Sequence, residues 1–405
     1  MPDHKVAYFF GPMHGVDGAG HLCSDVGKAL GQGGFDVDFL VDGTYPSDNP
    51  LEERLGHTCS VNLLTGAIPK DRGHNLQYYG SLFWGLSAYL RDQEQVTLLS
   101  NGTKYNILSV WASAFTGASV HLILVEHRLL RPRITGARRV LPPLVRTHYP
   151  WANRVVGVSE DVTNELVSDY GLAENLCTTI PNPVDTDRIA AEAEKPVSHP
   201  WFSEETLLIV GVGRLIRLKQ FSVLLQAFER VRRRIDARLV LIGRGPKRKA
   251  LVQQADELGL QNHVDFLGFV DNPYKYMNRA DLLAHPSQHE GFGLVLVEAL
   301  ACGTPVVATD CPGGPSDILA GGEYGKLVDV GSRRQLADAA VSMLADPPDP
   351  DQLIKRASDF DVGKIADRYE NAISKLHLGE DDLGSHLECF IGKSCTSHSS
   401  SSERV

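Results

Sequence analysis

The chain has 405 residues, of which 42% are hydrophobic and 22% are charged, values that are ordinary for a soluble globular protein. A chain of this length is too long for one hydrophobic core, so we expect two domains. The net charge of -10 argues against a general role in nucleic-acid binding. The seven cysteines form no Cys-x-x-Cys pair, which argues against a zinc ribbon and against a disulfide framework.

No apolar run reaches the roughly 18 residues of a membrane span, and the N-terminus lacks the apolar core of a signal peptide. We therefore expect a cytoplasmic protein. The segment 127–154 differs from the rest, because it contains seven arginines, no acidic residue and interleaved apolar side chains. It is either a solvated basic face or a docking surface for anionic lipid or a phosphate-bearing acceptor.

Short apolar runs alternate with helical patterns along the first part of the chain. The predicted strands are 6–10, 36–41, 97–99, 120–125 and 155–158, and the first helix is predicted at 21–30. This alternation predicts βαβ units and a parallel sheet that is covered by helices on both faces.

A stretch with two prolines and two aspartates, 180–188, has the composition of a linker, and the alternation starts again after it. The later predicted strands are 207–210, 239–242, 264–267, 282–285, 306–308 and 326–328, and the later helices are 221–233, 249–258, 332–345 and 361–376. We predict an α/β fold of two Rossmann-like doubly wound domains, 1–187 and 188–358, which face a ligand-binding cleft. The serine-rich tail, 378–405, is predicted to be disordered.

The most informative motif follows the predicted strand 282–285. It reads Glu290-Gly291-Phe292-Gly293-Leu294-Val-Leu-Val-Glu298. The glycines let backbone approach a ligand closely, and a helix that begins near Leu294 offers unpaired N–H groups to a phosphate. Glu290 and Glu298 can accept hydrogen bonds from sugar and ribose hydroxyls.

A second motif follows the first strand of the second domain. Gly213 permits a sharp exit from that strand, and Arg214 and Lys219 can converge on a diphosphate. A dinucleotide fingerprint would need a glycine where the chain has Ile216. Gly243 follows the next strand, where it is either a turn residue or part of the site.

Three positions of the first domain are predicted to face the cleft. Gly18 and Gly20 follow the first strand and would lie opposite the ligand. His127 follows the strand 120–125, and both a structural role and a catalytic or sugar-contacting role fit a histidine at a strand end.

In combination, these motifs resemble the retaining glycosyltransferases of family 4, which have the GT-B fold. The resemblance covers residues 4–376. It is carried by Gly213-Arg214 with Lys219, Gly243-x-Gly245-Pro246, Val158-Ser159, Pro181-Asn-Pro-Val-Asp185, and Glu290-Gly-Phe-Gly-Leu with Glu298-Ala-Leu-Ala-Cys-Gly-Thr-Pro. It implies that the second domain binds the donor and that a C-terminal helix, 359–377, crosses back to the first domain.

The resemblance also implies roles for individual residues. Glu290 would contact hydroxyls of the donor sugar, and Glu298 would contact the ribose. Arg214 and Lys219 would hold the diphosphate with the backbone amides of Gly293 and Leu294. His127 matches the histidine near the donor sugar. The other implied donor-site positions are Gly18, Gly20, Gly213, Gly243, Gly291 and Phe292.

The resemblance implies no cofactor, since the nucleotide sugar is a substrate, and no bound metal. Asp36-x-Asp38 has the form of a metal-binding pair, but it lies in an apolar strand pattern without further carboxylates nearby, so we expect no metal site there.

The leaving diphosphate of a glycosyl transfer needs positive charge, which Arg214, Lys219 and the helix start at Gly293 could supply. We expect a retaining transfer of a hexose or N-acetylhexosamine, preferably from a UDP-sugar, to a glycan, glycolipid or lipid-linked acceptor. Peripheral contact with anionic lipid at the inner membrane face is expected, and nucleic-acid binding is not. The alternatives are a GDP-mannose-dependent mannosyltransferase, a nucleotide-sugar 2-epimerase on the same fold, a non-catalytic binding protein and a nicotinamide-dependent oxidoreductase.

Overall fold

The structure is a computed structural model, and it describes residues 4–10, 18–41, 55, 58–65, 76–131, 141–203 and 205–377. Its strands form two separate parallel sheets. The first sheet contains β1 (Lys5–Phe10), β2 (Asp36–Val41), β3 (Cys59–Leu63), β4 (Gln95–Asn101), β5 (Ser119–Glu126), β6 (Arg154–Gly157) and β7 (Cys177–Thr179). The second contains β8 (Leu207–Val212), β9 (Ala237–Ile242), β10 (Val264–Gly268), β11 (Leu282–His285), β12 (Val306–Thr309) and β13 (Lys326–Val328).

Helices connect these strands. Those that accompany the first sheet are α1 (Gly18–Gln32), α2 (Leu76–Arg91), α3 (Thr103–Thr116), α4 (Leu141–His148), α5 (Glu160–Ser168) and α6 (Thr186–Ala193). Those that follow are α7 (Phe221–Arg232), α8 (Arg248–Glu257), α9 (Tyr274–Met277), α10 (Leu294–Ala301), α11 (Pro315–Ile318), α12 (Arg333–Ala345), α13 (Pro350–Ala357) and α14 (Val362–His377).

The first sheet has the strand order β3-β2-β1-β4-β5-β6-β7, and all of its pairings are parallel. Successive side chains of a strand point to opposite faces. Tyr8 therefore packs in one core cluster, which includes side chains of α1 and α14, and Phe9 packs in another, which includes side chains of α2 and α3. Burial on both faces explains why these strands are continuous apolar runs.

The second sheet repeats this plan with the order β10-β9-β8-β11-β12-β13. In each sheet the chain begins in the middle, builds outward to one edge, and returns to the other side of the starting strand. The strand order reverses between β1 and β4 in the first sheet and between β8 and β11 in the second. Such a reversal opens a crevice beyond the carboxyl ends of the strands, where ligands bind.

The chain passes between the two sheets at two adjacent segments. The Val184 N–H donates to the Phe360 carbonyl at 2.8 Å, and the Thr186 hydroxyl donates to the Asp361 carboxylate at 2.7 Å. Helix α14 then runs to the first sheet, where the His377 ring stacks on His4 with centroids 4.0 Å apart. The predicted limits at 187 and 358 lie beside this crossing.

The predicted fold class, two doubly wound α/β domains, is confirmed. Strands β3 and β7 were missed, because β3 is a half-exposed strand at the sheet edge and β7 has three residues. The predicted disordered tail and part of the basic segment, 132–140, lie outside the described residues. Within the part of the chain that the structure describes, no helix is long and apolar enough to cross a membrane.

Candidate active site

A cleft of about 800 Å³ is lined by residues that follow strands of both sheets. Its second-domain wall forms at the reversal of strand order, where β8 and β11 are paired neighbours. The loops that follow these two strands are joined by the Gln288 N–H, which donates to the Leu218 carbonyl at 2.9 Å. Two motifs that are far apart in sequence therefore form one surface.

Glu290 lies on this surface with a side chain that is 11% exposed. Its Oε1 accepts from the Lys219 ammonium at 2.5 Å and from His285 Nε2 at 2.8 Å. The Glu290 N–H donates to the Pro312 carbonyl at 2.9 Å, which holds the backbone in place. Glu290 Oε2 makes no hydrogen bond to any described residue, so it can accept one from a hydroxyl in the cleft.

Burial alone would raise the pKa of the Glu290 carboxyl, because a buried charge loses solvation. The hydrogen bond from His285 and the positive charge of Lys219 outweigh burial, and they hold the pKa of Glu290 well below its ordinary value. Burial and the Lys219 charge lower the pKa of His285, while its bond to Glu290 acts in the opposite direction. Since an ionised carboxylate only accepts, Nε2 of His285 carries the hydrogen in this contact.

Groups that can bind an anion line the same cleft as Glu290. Arg214 follows β8, is exposed at the cleft, and forms no ion pair with any carboxylate of the described chain. Gly293 has a φ of 105°, a left-handed conformation that favours glycine, and it turns the chain into α10. The first N–H groups of α10, beginning at Leu294, have no helical partners and lie at the positive end of the helix dipole. This end of the cleft suits a phosphate group.

Glu298 lies one turn into α10 and also lines the cleft. The Tyr274 hydroxyl is 3.4 Å from its carboxylate. Burial raises the pKa of Glu298, and the Tyr274 bond and the charges of Arg188 and Lys219 only partly offset it. A carboxylate that can accept a hydrogen bond from a hydroxyl thus lies on the same helix whose first amides can bind a phosphate.

An exposed aromatic side chain also lines the second-domain side of the cleft. Phe269 follows β10 and is 52% exposed, and the Arg244 guanidinium stacks over its ring at 4.8 Å. Val270 and Pro273 extend this apolar lining. An exposed ring beside a cation offers a flat surface to another aromatic group.

His127 stands on the first-domain side of the cleft. Its Nε2 is 3.0 Å from Oδ1 of Asn101, the last residue of β4. The Asn101 amide nitrogen donates to the carbonyls of Phe9 and Leu99, both at 3.3 Å, so its oxygen is the acceptor and Nε2 of His127 carries the hydrogen. Burial and the charge of Arg128 lower the pKa of His127 to about 4, so its ring is neutral.

Glu126 ends β5 and lies buried next to His127 in the chain. It accepts hydrogen bonds from the hydroxyl of Thr103 at 3.0 Å, from the amide of Asn106 at 3.3 Å and from the hydroxyl of Tyr149. All of these donors are neutral. Burial raises the pKa of Glu126 to about 7, and the hydrogen bonds only partly offset that increase.

Two glycines of the site are required by contacts within the protein. A Cβ at Gly291 would lie 2.0 Å from the His127 carbonyl oxygen, and one at Gly243 would lie 1.9 Å from the Gly213 carbonyl oxygen. Any larger residue at Gly291 would force the two walls of the cleft apart. Sequence reasoning attributed Gly291 to close approach of a ligand and left Gly243 open between a turn and the site; the structure adds a packing requirement at both positions.

The structure brings most of the predicted positions together. His127, Gly213, Arg214, Lys219, Gly243, Glu290, Gly291, Phe292, Gly293, Leu294 and Glu298 all line the cleft. Phe292 is 3% exposed and its ring packs against Phe360, so most of its surface contacts protein. Gly18 and Gly20 begin α1 directly after residues 11–17, which lie outside the described residues, and their relation to the ligand stays a prediction.

The carboxylate of Asp38, one half of the Asp36-x-Asp38 pair, makes its contacts with side chains of the protein. It pairs with the Lys5 ammonium at 2.9 Å and accepts from the Tyr89 hydroxyl at 2.6 Å. No group of three or more His, Cys, Asp and Glu side chains within the described residues has the arrangement of a metal site.

Sequence reasoning missed His285, Asn101, Arg244 and Phe269 as site residues. His285 and Asn101 are the last residues of strands β11 and β4, at the two reversals of strand order. A search of every polar residue at a strand end would have found them. Arg244 and Phe269 follow β9 and β10, and only their spatial proximity distinguishes them from other loop residues.

Two Rossmann-like domains that face a shared cleft form the GT-B fold, which is a fold of glycosyltransferases. The family model described as Glycosyltransferase Family 4 matches residues 16–188, and the one described as Glycosyl transferases group 1 matches residues 194–360. The chain belongs to glycosyltransferase family 4.

Individual relatives agree with this assignment. A GDP-mannose-dependent alpha-(1-6)-phosphatidylinositol monomannoside mannosyltransferase of Mycobacterium tuberculosis is 31% identical over 60% of this chain and 68% of that protein. An N-acetylgalactosamine-N,N'-diacetylbacillosaminyl-diphospho-undecaprenol 4-alpha-N-acetylgalactosaminyltransferase of Campylobacter jejuni is 32% identical over 55% of this chain, and the match spans 60% of that relative. The crystal structure of HepE from Anabaena in complex with UDP has a TM-score of 0.73 and 22% identity, and covers 93% of this chain and 100% of that chain.

Proposed function

We propose that this protein is a retaining glycosyltransferase that transfers a hexose or N-acetylhexosamine from a UDP-sugar. The observation that carries the proposal is the Glu290 carboxylate, which Lys219 and His285 hold ionised through Oε1 while Oε2 is left free at the cleft. A fixed carboxylate oxygen is a suitable acceptor for a sugar hydroxyl. We propose that Arg214 and the amides at Gly293, which line the same cleft, bind the adjoining diphosphate.

Charge develops on the diphosphate as the anomeric bond breaks, and on the sugar as an oxocarbenium-like centre. Arg214, Lys219 and the start of α10 supply fixed positive charge where the leaving phosphate would sit. We propose that this replaces a metal ion, and that the leaving phosphate takes the proton of the acceptor. No dedicated base is then required, and the product keeps the anomeric configuration of the donor.

The resemblance to family 4 assigns the donor sugar to Glu290, the diphosphate to Arg214 and Gly293, and the ribose to Glu298, all of which line the cleft. We propose that the exposed ring of Phe269, beside Arg244 in the same cleft, receives the nucleobase. A base stacked on an aromatic ring contributes roughly 1–3 kcal/mol. The preference for uridine is supported by HepE, whose structure contains UDP.

A thermal-shift panel of UDP, GDP, ADP and their sugars tests donor binding. The proposal expects the largest rise in Tm with UDP and UDP-sugars, and a roughly 5- to 100-fold weaker UDP affinity in Phe269→Ala. Phe115→Ala is a matched control, because Phe115 is similarly exposed but lies on α3 of the first domain. Tight NAD binding with no response to UDP would instead favour an oxidoreductase.

The stereochemical course is tested separately. The anomeric configuration of the transferred sugar, followed by proton NMR during the first turnovers, is expected to match that of the donor. An inverted product would overturn the retaining mechanism while leaving donor binding intact.

Two alternatives have distinct outcomes. A GDP-mannose-dependent mannosyltransferase is favoured by the Mycobacterium tuberculosis relative, and it would respond to GDP and GDP-mannose in the same panel. A nucleotide-sugar 2-epimerase would convert the donor into a new sugar isomer without any acceptor. A binding protein would show donor affinity with neither transfer nor epimerisation.

The acceptor is proposed to be a glycan, a glycolipid or a lipid-linked sugar. The support comes from the two relatives, whose names specify an undecaprenol-linked and a phosphatidylinositol-linked acceptor. Incubation of radiolabelled donor with water-soluble glycans and with a polyprenyl diphosphate-linked sugar separates these classes, since only the latter product partitions into organic solvent.

A further inference from the structure

Exposed aromatic side chains gather on one outer face of the first domain. Trp84 on α2 is 59% exposed, Trp111 and Phe115 on α3 are 46% and 49% exposed, and Trp151 after α4 is 42% exposed. We call this surface, formed by α2, α3, α4 and the turn Tyr149–Trp151, the tryptophan face. It carries three of the four tryptophans of the chain. Monomeric proteins seldom expose so many large apolar side chains together unless the surface binds something.

The aromatic side chains of α2 and α3 are continuous. Trp111 and Phe115 are four residues apart, and therefore share one side of α3. The Trp84 and Phe115 rings are in contact with centroids 5.3 Å apart, and the Arg91 guanidinium lies 5.1 Å from the centre of the Phe115 ring. The Trp111 ring contacts His148 at 5.6 Å, which connects α3 to α4.

The helices of this face carry basic residues and no acidic ones, and Asp169, whose carbonyl accepts from Arg146 at 2.7 Å, lies at the α4 border. The chain has 50 acidic residues, yet none of the residues of α2, α3 and α4 is acidic. Arg91, Lys104 and Arg146 are exposed on these helices. The nearest carboxylates in the chain are Asp92 and Glu94, which directly follow α2 at one end of the face. In a protein with a net charge of -10, this face is a place where an anionic surface can approach closely.

We propose that the tryptophan face docks on an anionic lipid bilayer. Tryptophan is favoured at the boundary between headgroups and acyl chains, because its ring is apolar and its N–H can remain hydrated. Arginine and lysine beside it attract anionic headgroups. A second copy of the chain fits less well, since a symmetric contact would place the same arginines and lysines opposite one another.

The location of the face agrees with an acceptor that arrives from a membrane. Helix α3 follows β4 and begins at the cleft end of the first sheet, with Lys104 in its first turn. It extends about 21 Å away from that end. The sequence pointed to the segment 127–154 as a docking surface, and the described part of that segment, α4 and Trp151, forms one border of the face. The apolar part of the surface comes from α2 and α3, which sequence reasoning did not single out.

Tryptophan fluorescence tests the proposal directly on the full chain. Trp201, the fourth tryptophan, lies beside Arg238 away from this face, so the Trp201→Phe variant reports on the face alone. Addition of vesicles of phosphatidylcholine with 30% phosphatidylglycerol, roughly the content of an anionic membrane, should shift its emission to shorter wavelength, and brominated lipid should quench it. Vesicles of pure phosphatidylcholine should give a smaller change, and salt should weaken the response.

Co-sedimentation with the same vesicles identifies the residues. Trp84→Ser/Trp111→Ser and Arg91→Glu should each reduce the bound fraction at least fivefold, while Ile354→Ser and Lys355→Glu, exposed residues of α13 in the second domain, should not. Retained Tm and UDP affinity in the variants show that the fold and the donor site are intact, so this test is independent of the proposed function. Two results would overturn the proposal: equal binding by all variants, or a concentration-dependent dimer in sedimentation velocity that Trp84→Ser/Trp111→Ser abolishes.

Discussion

Glu290 and Glu126 are both buried carboxyl groups that lie beyond or at the carboxyl ends of parallel strands, one in each domain, yet their pKa values are shifted in opposite directions. Lys219 and His285 stabilise the charged form of Glu290, so the pKa of its carboxyl is lowered. Glu126 has three neutral hydrogen-bond donors and forms no ion pair with a described residue; these bonds and the charge of Arg128 do not offset burial, and its pKa is raised to about 7. Of these two carboxyl groups, only the one in direct contact with a cation is held ionised.

The difference separates two tasks within one cleft. The second-domain wall is held charged and suits a polar, anionic donor. On the first-domain side, His127 is uncharged and the adjacent Glu126 is buried with a raised pKa, and the exposed Arg128 supplies the positive charge. Substitutions that change the charge or the hydrogen bonds on either side should therefore have different effects on transfer, donor binding and stability.

Glu290→Gln is expected to have the largest effect. The amide keeps the size of the side chain but replaces a charged acceptor by a neutral one, so transfer should fall by roughly 100-fold or more. Initial rates with a saturating donor measure this, with Glu323→Gln, an exposed glutamate of the second domain, as the control. A rate within a factor of three of wild type would remove Glu290 from the proposed site.

Lys219→Met should affect both binding and stability. Loss of the charged contact should weaken UDP binding by roughly 10- to 100-fold. The buried Glu290 carboxylate would also lose its cation, which costs about 3 kcal/mol of unfolding free energy when a buried pair is broken. Isothermal titration calorimetry and urea unfolding at pH 7 measure the two effects, and Lys355→Met is the matched control. Unchanged affinity would exclude Lys219 from the diphosphate site.

Glu126→Gln should change how stability depends on pH. The folded protein holds the Glu126 proton up to about pH 7, whereas the unfolded chain releases it near 4.5. Wild type therefore loses stability as the pH rises between these values, by up to about 3 kcal/mol, and Glu126→Gln should not. Urea unfolding from pH 4.5 to 8 measures the difference, and Glu94→Gln, which alters an exposed glutamate, should follow wild type. Parallel curves for Glu126→Gln and wild type would contradict the raised pKa.

Asn101→Leu should have the smallest effect. Nε2 of His127 would lose its acceptor, so the ring should populate both neutral tautomers, and transfer should fall by less than about tenfold. Nitrogen NMR of histidine-labelled protein distinguishes the tautomers by the chemical shifts of the two ring nitrogens. Asn101→Asp should instead raise the pKa of His127, because a carboxylate would face Nε2. An unchanged His127 signal in both variants would show that Asn101 does not orient the ring.

Prediction from sequence succeeded where local pattern is enough. Strand β11 was predicted with its observed limits, since a buried parallel strand is an apolar run bounded by turn residues. It failed at β3, a half-exposed edge strand, whose residues Cys59–Leu63 carry no apolar run. It pointed to the α4 border of the tryptophan face but gave no sign of the aromatic side chains that α2 and α3 expose.

The motif from Glu290 to Glu298 was recognisable from the sequence alone, because a strand, a glycine turn and an apolar helix must place N–H groups and carboxylates near each other. The ionisation of its first carboxylate was not. Lys219 and His285 reach Glu290 only because β8 and β11 become neighbours when the strand order reverses. The sequence by itself therefore determined the two doubly wound domains and the chemical groups of the donor site, while the tertiary structure decided which charges meet and which are left alone. The physical reason is that secondary structure depends on near neighbours in the chain, whereas the charge of a buried group depends on neighbours in space.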